Sequence, residues 1–230
     1  MDIKDVILLG LILVFGWATR RQARHWRSAA AMWECATRQG CGEKSRAWQE
    51  WGAAVKMNGD MAGAATGFQK ALDLNPRQAP ALRNLAWLRA EQNHPLEALA
   101  LLKTCVERNP GHGAGWQDYG LLLEGTGHPD EAIGAFQRAL ELQPRFDVSA
   151  NRLGIIHFVR RDWERARAFF ARAHQFRPES GEYRWNLACS LRAMGLAQES
   201  HALVKGFPAQ IQLTPNMVVP PDAVPERMTP

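Results

Sequence analysis

Residues 116–144 read WQDYGLLLEGTGHPDEAIGAFQRALELQP, and the order of residue types in this stretch decides the fold. Trp116, Tyr119, Gly120 and Leu123 fall three and four apart, as do Ala132, Phe136 and Ala139. Each group therefore shares one face of a helix. Between the two groups Gly127-His128-Pro129 breaks the chain direction, and Pro144 closes the stretch because proline cannot continue a helix.

The same stretch recurs along the chain. Pro76, Pro110, Pro144 and Pro178 stand 34 residues apart, which divides the sequence into repeats 45–78, 79–112, 113–146 and 147–180 and a frayed fifth, 181–205. The eighth position holds Gly52, Ala86, Gly120, Gly154 and Ala188, each preceded by a large residue: Trp51, Leu85, Tyr119, Leu153 and Leu187. A second face carries Ala64, Ala98, Ala132, Ala166 and Ser200, then Phe68, Leu102, Phe136, Phe170 and Val204, then Ala71, Cys105, Ala139 and Ala173. Small residues beside large ones let two helices of one repeat approach closely. The expected fold is all-α, a stack of helix–turn–helix units stabilised by contacts between neighbours, with one wall left for partners.

The order W-x2-L-G-x2-Y, A-x3-F and P resembles the tetratricopeptide repeat, TPR, and Trp116, Tyr119, Gly120, Leu123, Ala132, Phe136, Ala139 and Pro144 carry the resemblance best. Arg89 and His157 depart from it where Tyr is usual, and Arg184 where Trp is usual. The resemblance implies a right-handed α-solenoid of about four full repeats over 45–205. A half repeat would precede it within 22–44, where Ala29, Trp33 and Ala36 reproduce the second-helix spacing, and the last repeat would be degenerate. In such arrays positions two, five, nine and twelve of the first helix face the concave wall. That assigns a partner-binding groove to Arg83, Trp87, Gln117, Leu121, Asn151, Ile155, Phe158 and Trp185, apolar with a polar margin. TPR domains that clamp a C-terminal carboxylate do so with Lys, Asn and Arg. Arg83 and Arg152 match two of those positions, but Trp87, Asp118 and Val148 stand at others, which argues against a clamp.

The N-terminus reads differently. Val6 to Thr19, VILLGLILVFGWAT, carries no charge, and Arg20, Arg21, Arg24 and Arg27 follow at once. Fourteen helical residues span ~21 Å against a hydrocarbon core of ~30 Å; Ile3 and a snorkelling Lys4 can lengthen the span, and local thinning of the bilayer can absorb the rest. The leading MDIKD lacks the positive charge of a signal peptide and no clear cleavage site follows, which favours an uncleaved single transmembrane helix within 1–21. The arginines suit an anionic lipid surface, and the positive-inside rule places the repeats on the cytoplasmic side. The junction from Arg24 to Trp48 also resembles the one in multi-span O-glycosyltransferases whose last membrane helix leads into extracytoplasmic TPRs, which would place the repeats outside.

Residues 206–230 hold six prolines and the apolar Ile211, Leu213, Met217, Val218 and Val219, an extended tail that is either disordered or docked in a groove. The formal net charge is +5, but residues 1–44 supply +3 of it, so no basic stripe remains for nucleic acid. Cys35, Cys41, Cys105 and Cys189 have no metal-ligand spacing, and no nucleophile elbow, phosphate loop or paired carboxylates occur. No cofactor, metal, small-molecule substrate or catalytic residue is expected. The function that follows is a membrane-anchored scaffold or adaptor that binds a protein partner and assembles or stabilises a membrane-associated complex. The alternative is an accessory or split-off TPR module of a membrane glycosyltransferase on the extracytoplasmic face.

Overall fold

The computed structural model describes residues 29–39, 44–205 and 217–218. Among them are eleven α-helices and no strand: α1 (Ala29–Gln39), α2 (Lys44–Met57), α3 (Met61–Leu74), α4 (Ala79–Glu91), α5 (Pro95–Arg108), α6 (Gly113–Gly125), α7 (Pro129–Leu142), α8 (Asp147–Val159), α9 (Trp163–Phe176), α10 (Gly181–Ala193) and α11 (Ala197–Val204). They group into two compact blocks, one ending at Arg108 and the other beginning at Asn109. Among the described residues no helix is long and apolar enough to cross a membrane. The run Val6–Thr19 and Arg20, Arg21, Arg24 and Arg27 lie outside them.

Every repeat turns the chain in the same way. The residue at its fifteenth position has a left-handed backbone: Gly59 (φ 86), Asn93 (φ 62), Gly127 (φ 84), Arg161 (φ 62) and Gly195 (φ 80). Its N–H reaches back to the carbonyl three residues earlier, and the next N–H to the carbonyl five residues earlier, as in Gly127 to Glu124 and His128 to Leu123. This is the Schellman arrangement, which satisfies carbonyls at the end of the first helix that would otherwise lose their partners. Asp60 and Asp162 then start the second helix by accepting the N–H of Gly63 and Arg165.

In the first block, α2–α3 and α4–α5 bury Phe68, Ala71, Leu82, Leu85, Leu88 and Cys105. Phe68 lies over Gly52, where an added Cβ would stand 2.9 Å from its ring. In the second block, α6–α7 and α8–α9 repeat the device: a Cβ at Gly120 would meet Phe136 at 2.6 Å and one at Gly154 would meet Phe170 at 2.5 Å. All three phenylalanines are fully buried. The repeats with Ala86 or Ala188 in the glycine column carry the smaller Leu102 or Val204 opposite. Ala86 with Leu102, both buried, thus fills about the volume of Gly with Phe, as a close-packed interior requires, whereas Val204 is half-buried. The second helix of the fifth repeat, α11, runs from Ala197 to Val204.

Candidate partner-binding site

The first helix of each repeat supplies the candidate wall. In the first block, Arg83 and Trp87 on α4 are half-buried at positions five and nine. In the second block, Gln117 and Leu121 on α6, Ile155 on α8 and Trp185 on α10 are likewise half-buried. The second-helix residues Ala132, Phe136 and Ala139 have no such exposure. The ninth position leaves an apolar side chain partly in water on α4 of the first block, Trp87, and on α6 and α8 of the second, Leu121 and Ile155.

Two of the expected wall residues are elsewhere. Phe158 is 6% exposed, its ring set edge-on to Trp163 with centroids 4.9 Å apart and tilted against Phe170 at 6.3 Å. It belongs to the core between α8 and α9, where an aromatic ring gains more by full burial than on a wall. Asn151 is buried too. Its Nδ2 donates to Glu182 Oε1 at 3.1 Å and its Oδ1 accepts from Asn186 Nδ2 at 2.9 Å, so it joins α8 to α10. Gln117 performs the same office between α6 and α8, accepting from Ser149 Oγ at 3.1 Å. The polar margin is therefore largely spent on seams between repeats.

The part of the wall on α10 is occupied. Val218, from the proline-rich tail, is 6% exposed and joins the apolar cluster of Phe158, Phe170, Leu187 and Cys189, against which Ile155 and Trp185 also pack. Its N–H donates to Asn186 Oδ1 at 2.9 Å, and its carbonyl accepts from Trp185 Nε1 at 2.9 Å and from Cys189 Sγ at 3.6 Å. Trp185 and Cys189 stand at positions five and nine, both expected on the wall. Asn186, at position six, lies outside the positions expected on the wall. The available signal was an amide inside the otherwise apolar run Trp185-Asn186-Leu187-Ala188-Cys189.

Electrostatics at the seams follow burial. Glu124 faces Arg152 at 3.7 Å, yet burial pushes its carboxyl above the ordinary range while Arg152 pulls only partly back. Tyr183 donates its hydroxyl to Asp147 at 2.9 Å, and Asp147 also meets Arg177 at 2.9 Å. Burial first, then that hydrogen bond, raises the phenol well above its usual value. Among the described residues no group of three or more His, Cys, Asp or Glu could hold a metal ion.

The tetratricopeptide repeat signature matches residues 52–113, 83–145 and 120–181. The chain belongs to the tetratricopeptide repeat family. A human relative, tetratricopeptide repeat protein 33, is 28% identical over 106 residues, covering 46% of this chain and 40% of that protein. The match thus spans less than half the length of that relative. Among solved structures, the TPR protein MamA superposes with a TM-score of 0.61 at 20% identity, covering 71% of this chain and 90% of that one. YrrB, solved as a TPR protein with an unusual peptide-binding site, gives 0.62 at 16% identity, covering 78% and 95%. PilF of Pseudomonas aeruginosa gives 0.63 at 18% identity, covering 73% and 78%. At these identities the likeness is one of fold, and TPR folds serve protein–protein interaction by leaving first-helix walls open.

Proposed function

We propose that this TPR chain is a membrane-anchored scaffold or adaptor whose first-helix wall captures a protein partner and holds it beside a membrane-associated complex. The observation that carries the reading is the partial exposure of apolar residues at the ninth position of successive first helices, Leu121 and Ile155 in the second block and Trp87 in the first. Exposed apolar faces on soluble folds mark binding surfaces, and a large indole is a frequent hot spot. The anchor within 1–21 and its arginine flank supply the membrane part of the reading, with the repeats on the cytoplasmic side.

The test is affinity capture from detergent-solubilised membranes with crosslinking. Leu121→Ala with Ile155→Ala should lose the captured partner while helical signal and membrane attachment persist. Trp87→Ala should weaken capture by about 2 kcal/mol or more if that indole is a hot spot. Unchanged recovery by all of these variants places the binding surface elsewhere.

A further inference from the structure

The Val218 contact joins both backbone polar groups of one residue to side chains of α10, and this is a form of recognition. A residue inside a helix spends its N–H and carbonyl on neighbours four residues away. Asn186 Oδ1 and Trp185 Nε1 take both groups of Val218 instead, so they select a non-helical segment. The direction of reading is set from behind. Asn151 turns its NH2 group to Glu182 Oε1 and its oxygen to Asn186. Asn186 in turn directs its own NH2 to that oxygen, which aims Oδ1 at the incoming N–H. Asn186 is completely buried, and an amide held there by a chain of hydrogen bonds is an oriented acceptor. The side chain that enters with this backbone is β-branched and aliphatic, and it sits among Phe158, Leu187 and Cys189.

We propose that Asn186 and Trp185 form a backbone-reading clasp, occupied at rest by the chain's own Met217–Val218 segment. An extended partner segment carrying a β-branched aliphatic residue would bind there by displacing it. The inference rests on the reading of the first-helix wall as the partner surface, and adds to it the class of ligand and a built-in competitor. Twelve residues separate Val204 from Met217. The resident segment belongs to the same chain, so a partner competes with an intramolecular ligand and must bind well to exchange with it.

The probe is a fluorescent peptide of residues 213–222, LTPNMVVPPD, titrated against the full chain in detergent. Val218→Asp places a charge where the apolar cluster receives the side chain and should vacate the clasp. That variant should bind the peptide at least tenfold more tightly than the unmodified chain, and adding Asn186→Ala should remove the gain. Hydrogen exchange on the unmodified chain gives a reading that needs no variant to fold: excess peptide should speed exchange at the Val218 amide. Equal affinity for the unmodified chain and Val218→Asp overturns the proposal. So does the absence of binding to a Val218→Asp chain that keeps its helical signal, or exchange at Val218 indifferent to peptide. A dimer of the unmodified chain that Val218→Asp converts to monomer also overturns it, since the tail would then be exchanged between copies. Loss of the clasp with partner capture still sensitive to Leu121 and Trp87, which lie outside the cluster that receives Val218, leaves the scaffold reading standing. Capture indifferent to those residues removes the scaffold reading itself.

Discussion

Gly120 and Phe136 are one packing unit. A Cβ added at Gly120 would stand 2.6 Å from a phenylalanine ring with no exposed surface into which to retreat. Overpacking of this kind costs about 1–3 kcal/mol, and the better helix propensity of alanine returns up to about 1 kcal/mol. Gly120→Ala should therefore destabilise by about 1–2 kcal/mol in urea unfolding. Gly120→Ala with Phe136→Leu, the combination already used at Ala86 and Leu102, should recover about 1 kcal/mol relative to the sum of the single changes. Additivity would show that the two residues do not share a space. Tyr183 makes a prediction in pH. Its phenol is raised in the folded state, so its contribution is complete below the ordinary tyrosine value of about 10 and is lost as pH rises beyond it, when only the unfolded chain ionises. The urea midpoint should fall more steeply between pH 9 and 11 in the unmodified chain than in Tyr183→Phe. At pH 7 that change should cost about 1–2 kcal/mol for the lost hydrogen bond to Asp147.

The helix-ending turn is the element that all five repeats share, and its strain is uneven. Three repeats fill the left-handed position with glycine, one with Asn93 and one with Arg161. A residue with a Cβ in that conformation costs about 1–2 kcal/mol, whereas glycine costs about 0.4–1 kcal/mol through the freedom it restores to the unfolded chain. Arg161→Gly should thus stabilise the chain by about 0.5–1 kcal/mol, read as a higher thermal midpoint with unchanged helix content. A lower midpoint would mean that the Arg161 side chain holds something worth more than the strain. The turns Asn58-Gly59-Asp60 and Gly127-His128-Pro129 were legible in the sequence through their Gly and Pro. The turn at Arg161 was legible only by counting 34 residues from its neighbours, because arginine carries no turn propensity of its own.

At the scale of the whole molecule the described helices begin at Ala29, and a solenoid is stabilised by nearest neighbours rather than by its ends. Deleting residues 1–21 should therefore release the chain from the membrane fraction with its helical signal and thermal midpoint intact. Continued sedimentation with membranes would show that the attachment lies in the repeats or in a bound partner. A C-terminal alkaline phosphatase fusion to the full chain in a bacterial host should be inactive if the repeats face the cytoplasm. Strong activity would place them outside and favour the glycosyltransferase companion.

The sequence by itself determined the repeat length, the helix pairs, their turns and the buried columns. These follow from spacings of three, four and 34 residues, and hydrophobic periodicity is a local property. It also contained the Gly–Phe and Ala–Leu pairing, since both columns could be aligned on the prolines. What only the tertiary structure decided is which of the semi-apolar positions on a first helix faces solvent, core or tail. Leu121 at position nine and Phe158 at position twelve both stand at positions expected on the wall, but Phe158 turns to Trp163 and Phe170. Asn151 and Gln117 look like surface amides in the sequence, yet each is engaged by a residue about 32 positions further on. Val218 comes to Asn186 from 32 residues away, across a stretch with no periodicity to register it. Partners at that separation are chosen by the shape and unpaired polarity of a folded surface, which no local pattern encodes.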